Sequence, residues 1–382
     1  MIVYNTQMQI HIAIYHPRRA GILSAAIDLQ ADQVILMHRQ EDVVAGIKSV
    51  LSSRGIRCQS MVVDFDTERL RQHFAALLEE YQSANLYLNA SSGYKKMILI
   101  AFEQFNAYGY PIFMVDKFTD ELYWLKNRAN QPTDDHHLSH EIKINEYLKT
   151  FNTHVLNEGD KTPEPAISRE LTHWLIRHIG NHDKHIAQLN YIAMMATKDN
   201  RYALDHHQIN NQGLMTVLGQ FEAAGMLTLR GRKLKFTDAD ARFYCNGGWL
   251  ENHVYSLAYG MRKNRPHIVD IAKGLQVVRH NGTVKNEIDV AAMSHNRLHV
   301  IECKTRKFSK SDDDNAAANT AIYRLDTLKN FAGGISSKAM LVSYQPLNSY
   351  SLSRAEDLGI YCCSHTQLRQ LDNHLYRFFD SD

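Results

Sequence analysis

The residues best suited to chemistry lie in NEIDVAAMSHNRLHVIECKT, positions 286 to 305, where two β-type runs flank the polar turn Ser294, His295, Asn296 and Arg297. If His295 and Asn296 form a two-residue hairpin loop, Ser294 faces Arg297. Counting outward along both strands, Asp289 then faces Glu302 and Glu287 faces Lys304. Side chains two apart share a face, so these four project together while Cys303 points away. Opposed carboxylates, with Cβ atoms about 5 Å apart, repel unless a cation lies between them. Oxygen ligands from Asp289, Glu302 and the backbone carbonyl of Cys303 suit Mg²⁺ or Mn²⁺ rather than zinc, and leave positions for water and a phosphate oxygen. Lys304 is placed to orient or help deprotonate the attacking water and to offset charge on a scissile phosphate. Upstream, a helix over Trp249 to Met261 carries Glu251 as an additional acid, and Glu287 completes the expected catalytic set. An ordinary solvent-facing hairpin is the alternative. The combination of opposed acids, Glu-x-Lys and an acid-bearing helix argues against it.

A second constellation is LYLNASSGYKKMILIAF, which runs from strand directly into helix with Ser91, Ser92 and Gly93 at the turn. Small residues let backbone N–H groups approach an anion, the helix N-terminus adds favourable partial charge, and Lys95 adds a full one. Any tight strand-to-helix turn uses such residues, but this one lies at a strand's carboxyl end, where parallel sheets bind ligands. Asn89 stands just before it. Tyr15 and His16, with Pro17 and Arg18, follow the first strand and form the companion wall.

These residues need elements to position them. The chain has 382 residues, 44% hydrophobic and with only 7 prolines, enough for two or three globular domains and too apolar for general disorder. From Met8 to about Lys126 apolar runs alternate with helical stretches, predicting a parallel sheet covered on both faces in a domain over 1–150. Ligands should then bind after Tyr15, Met37, Asp64, Asn89 and Val115. The polar passage at 127–165 reads as a boundary, and its His136, His137 and His140 as solvated linker residues. Residues 165–240 outline a winged helix with Arg232 and Lys233 at the wing tip, suited equally to phosphate contact or to a spacer or dimer role. Residues 245–382 hold the acidic hairpin. Five irregularly spaced cysteines exclude a disulfide framework or a CxxC zinc site. The apolar runs are too short to cross a bilayer and no signal-peptide pattern opens the chain, so a cytoplasmic location is expected.

Asp289, Glu302 and Lys304 resemble the core of the PD-(D/E)xK restriction-endonuclease-like family, with EIDV and IECKT similar to its second and third strands and Trp249, Leu250 and Glu251 to its first helix. Asn319 and Tyr323 stand where some relatives carry Gln-xxx-Tyr. Asn89, Ser91, Gly93, Lys95 and Met97 resemble the Asn-x-Thr-Gly-Gly-Thr-Lys-x-Met pattern of CARF domains, Rossmann-like sensors of cyclic oligoadenylates; Ser92 and Tyr94 depart from it. Together the parts resemble the ancillary nucleases of type III CRISPR systems. That resemblance implies an α/β chain with a Rossmann-like CARF domain, a winged-helix-like centre and a nuclease domain. It also implies a homodimer in antiviral defence, with a cyclic oligoadenylate, often the tetramer, as allosteric activator of metal-dependent cleavage of DNA or RNA. A ligand-responsive transcription regulator with an inert C-terminal domain, and an enzyme degrading its own cyclic ligand, are the other readings. Basic Arg306, Lys307 and Lys310 could line a substrate groove.

Overall fold

The computed structural model describes residues 7–127, 133–279, 282–305 and 314–380. Arg306, Lys307 and Lys310 lie outside the described residues. In the N-terminal sheet, five strands run parallel in the order Arg57–Val62, Gln33–His38, Gln9–Ile14, Asn85–Asn89 and Ile112–Val115. Gln33–His38 is buried at every position, as a strand covered on both faces must be. Helices Ile22–Asp28 and Ala45–Ser53 cover one face, and Thr67–Glu80 and Lys95–Ala107 the other. Chain order reverses between Gln9–Ile14 and Asn85–Asn89, which opens a crevice at their carboxyl ends. Two antiparallel strands that the apolar pattern did not reveal, Glu121–Lys126 and His136–His137, extend the sheet.

The polar passage after them is more structured than a linker. Thr153–Asn157 pairs with Ile268–Arg279 at the edge of the C-terminal sheet. His136 Nε2 lies 2.8 Å from Asp28 Oδ2, and His140 Nε2 lies 3.4 Å from Asp120 Oδ2. An edge strand with little burial has little apolar periodicity, so composition alone does not reveal it.

The expected winged-helix outline is present: helix Gln212–Ala223, strand Leu227–Arg230, a turn with Gly231 at φ 60°, and the return strand Lys233–Phe236. Arg201–Ala203 completes a three-stranded sheet. Arg232 is tied back to the Leu204 carbonyl at 2.7 Å. The C-terminal sheet has six strands in the order Ile360–Ser364, Lys338–Ser343, Arg297–Lys304, Lys285–Ser294, Ile268–Arg279 and Thr153–Asn157. Helix Trp249–Met261 packs on one face through Trp249, Leu250, Val254 and Ala258, and Ile322, Leu325 and Leu328 pack on the other. No helix among the described residues is long and apolar enough to cross a membrane.

Candidate active site

His295 and Asn296 have φ of 49° and 50°, the left-handed pair that a two-residue hairpin turn demands. The strands pair from Ser294–Arg297 to Val290–Ile301, the register expected from the sequence. Pairing stops there. The Asp289 carboxylate takes over, its Oδ2 accepting the Cys303 N–H at 2.7 Å. Glu287 therefore does not face Lys304 across a continuous ladder; it pairs with Gln276 on the neighbouring strand and is exposed at the rim. Cys303 is buried with Ile301 in the core, as its place in the alternation requires.

Asp289 and Glu302 are only 9% and 6% exposed, so both acids sit in a poorly solvated corner. Lys304 Nζ bonds Glu302 and stands 3.9 Å from Asp289 Oδ2. The ammonium of Lys304 thus stands beside both acids. Burial, then the charge of Glu302, raises the Asp289 carboxyl well above the ordinary carboxylate range. Glu251 is raised further, first by burial and then by Asp289 and Glu287. Burial alone would lower Lys304, but Asp289 and Glu302 outweigh it and hold the ammonium charged.

Glu251 reaches this corner because of two adjacent glycines. At Gly247, with φ 113°, a Cβ would stand 2.0 Å from Thr305 Oγ1, so the segment can lie against the end of the Lys304 strand only without a side chain. At Gly248 a Cβ would meet the Phe243 ring at 2.3 Å. Helix Trp249–Met261 starts immediately afterwards, with Glu251 in its first turn. Glu251 and Glu287 line one cleft of about 720 Å³.

The donor chemistry fits a hard divalent ion: Asp289, Glu302 and Glu251 offer oxygen ligands, and a bound cation would deprotonate the raised carboxyls of Asp289 and Glu251. Among the described residues, however, no three His, Cys, Asp or Glu side chains already converge as a ligand set. A metal would have to draw Glu302 away from Lys304.

At the N-terminal crevice, the seven residues expected there divide into two groups. Tyr15 is a correction: it is 2% exposed, with its hydroxyl accepting from Asn152 at 3.1 Å, because its side chain turns into the core. Asn89 donates to the Gly21 carbonyl and accepts from the Ser91 N–H, and Ser91 Oγ accepts from the Val115 N–H. These two shape the turn. Gly93 has φ 124°, and a Cβ there would stand 2.8 Å from Ile14 Cβ. Ser92 Oγ is buried without a hydrogen-bond partner, Lys95 is exposed at the start of its helix, and the His16 ring lies 5.0 Å from that of Tyr94. Sequence reasoning missed the group around Tyr94. Its hydroxyl donates to Asp42 at 2.9 Å, the Arg39 guanidinium stands 4.8 Å over its ring, and Phe65 meets it edge-on. Arg39 and Phe65 follow the second and third strands, so the rule for strand carboxyl ends reached the right segments without selecting these side chains. Asn319 accepts from Ser351 at 3.2 Å, and Arg354 lies over the Tyr323 ring, so both make contacts between helices Asp314–Gly333 and Ser349–Asp357.

Fold and site together define a Rossmann-like domain joined through a winged-helix-like centre to a restriction-endonuclease-like domain. Residues 238–381 match the family of Card1-like endonuclease domains. The protein is accordingly an endonuclease. A crystal structure of protein VC1899 from Vibrio cholerae superposes with a TM-score of 0.86 at 29% identity, covering 97% of this chain and 98% of that one. Can2 from Sulfobacillus thermosulfidooxidans, solved with cyclic tetra-adenylate, gives 0.82 at 24% identity over 98% and 100% of the two chains. A type III CRISPR defence DNA nuclease activated by cyclic oligoadenylate gives 0.58 at 15% identity, and this chain spans about half of it, 51%. No curated protein sequence matches.

Proposed function

We propose that this protein is a cyclic-oligoadenylate-activated, Mg²⁺- or Mn²⁺-dependent endonuclease of type III CRISPR antiviral defence, acting on DNA or RNA as a cytoplasmic homodimer. In this reading residues 1–150 sense the ring, 165–240 connect, and 245–382 cut. The observation that carries it is the acidic hairpin itself. One end holds Asp289, Glu302 and Lys304. At its tip, Asn296 donates to Asp120 Oδ2 at 2.8 Å and to the Ser139 carbonyl at 2.9 Å, both in the N-terminal half. Six residues of strand, about 20 Å, separate tip from acids, so a shift of the sensor is delivered to the hydrolytic corner by a rigid element.

Asp289, Glu302, the Cys303 carbonyl and Glu251 would hold a divalent ion, which would supply Lewis-acid charge to the phosphodiester. The remaining work falls to the chain. Lys304, kept charged by the two acids, is placed to offset the charge developing on the phosphate. Asp289 keeps the Cys303 backbone in place through its accepted hydrogen bond. Glu287, exposed at the cleft rim, keeps Glu251 and Asp289 poised to take up protons. At the other end, the turn from Ala90 to Lys95, with Ser92, His16, Arg39 and Tyr94 around it, offers N–H donors, cations and ring faces to phosphates and adenines. The activator has rotational symmetry, which a two-fold pair of sensor domains matches.

The deciding experiment incubates purified protein with labelled single- and double-stranded DNA and RNA, with and without cyclic tetra-adenylate and Mn²⁺. Cleavage requiring both additions, and lost separately in Asp289→Ala, Glu302→Ala and Lys304→Ala while activator binding persists, is expected. Retention of DNA without cutting, or shortening of the activator alone, would overturn this reading in favour of a regulator or a ring-degrading enzyme.

A further inference from the structure

The cleft shared by Glu251 and Glu287 is also lined by an aromatic ring, that of Phe243 at the end of helix Ala239–Phe243, just after the winged-helix-like centre. Phe243 is 49% exposed and presents its free side to the cleft's interior space. The ring is packed on one side. Gly248 provides a bare backbone on which one ring face rests, since any Cβ there would overlap it. The next residue, Tyr244, is buried, with its hydroxyl 2.8 Å from the Ser168 carbonyl and 3.1 Å from the Glu164 carboxylate. Ile167, 52% exposed, and Met226 extend the apolar wall, and Asp240 lies beside them. Lys273 also lines the cleft, but it is already engaged with Asp160 at 3.1 Å and Asn252 at 2.7 Å. A wall that is apolar and acidic repels phosphate and accepts an uncharged planar group.

We propose that Phe243 is a stacking platform for an unpaired nucleobase of the substrate, flanking the phosphodiester presented to the acids. The inference rests on the endonuclease reading of this cleft and adds to it a residue that holds substrate beside the acids. Every base has a π-face, so such a platform tolerates any sequence, but it needs that face unstacked; the strand in the cleft is therefore locally single. Phe243 touches the base and not the reacting atoms, which makes it a positioning residue.

Two measurements test it. Oligonucleotides carrying 2-aminopurine at successive positions, bound without divalent metal, should show stacking-type quenching at one position with the wild type. Quenching should vanish with Phe243→Ala and return with Phe243→Trp. In Mn²⁺ and activator, an abasic site at that same position should lower wild-type kcat/KM by roughly five- to 150-fold, the worth of one base–aromatic stack. Phe243→Ala should be indifferent to it, with the loss mainly in KM. Phe243→Leu, which keeps apolar bulk without a ring face, serves if the alanine variant melts early. Equal quenching in wild type and Phe243→Ala, or a flat abasic profile in the wild type, overturns the platform. If the wild type cuts nothing, the endonuclease reading fails separately, while the metal-free quenching still decides about Phe243.

Discussion

Metal binding at the acidic corner should be paid for in protons. Burial and mutual repulsion raise Glu251 and Asp289 far above ordinary carboxyls, so the metal-free protein retains protons there near neutrality that a divalent cation must displace. Displacing one proton changes the apparent dissociation constant tenfold per pH unit, about 1.4 kcal/mol, and displacing two changes it a hundredfold. Between pH 6.5 and 8.5 the affinity for Mn²⁺ should thus rise by at least about a hundredfold. Isothermal titration calorimetry in two buffers of different ionisation enthalpy counts the protons directly, and between one and two should leave per ion. The same protons give the linkage a definite sign. Where the folded state binds more protons than the unfolded one, stability falls as pH rises, so the metal-free protein should melt progressively earlier from about pH 5 toward 9. Saturating Mn²⁺ should suppress that fall. A buffer-independent heat together with a flat affinity would refute the reasoning.

Replacing Lys304 by Ala removes the cation that competes for Glu302; Mn²⁺ affinity by calorimetry should not weaken, while kcat falls about a hundred- to a thousandfold. Asn296→Asp places a carboxylate against Asp120 at the hairpin tip, and should cost roughly 1–3 kcal/mol in denaturant unfolding while leaving activator binding intact and blunting activation. Retained activation would dismiss the hairpin as the link. His295, stacked on His267 at 4.0 Å with His140, Arg297 and Asp380 around it, is lowered from 6.5 to about 4, first by burial and then by its histidine neighbours. A depressed folded-state value means stability is full above pH 6.5 and is lost as pH falls toward 4, by roughly 1–3 kcal/mol; His295→Asn, which also tolerates positive φ, should flatten that acid limb in thermal melts.

What the sequence by itself determined is local. A two-residue turn and strict alternation fix which side chains of a hairpin face which, so Asp289, Glu302 and Lys304 are legible without coordinates. Apolar runs spaced by helices dictate a parallel sheet, and a small-residue turn ahead of Lys95 marks the carboxyl end of strand Asn85–Asn89. Tertiary structure alone decided matters that depend on segments far apart in the chain. Composition cannot tell that Thr153–Asn157 joins the nuclease sheet, that Tyr15 turns inward to Asn152, or that Asn296 docks on Asp120. Neither can it tell that Lys304 stands beside both acids, because both signs occur at neighbouring positions and only packing chooses the rotamers. Glu251 and Phe243 reach one cleft because Gly247 and Gly248 allow the backbone to press against Thr305 and the phenyl ring. Such close approaches are set by volume exclusion between distant residues, and no periodicity along the chain records them.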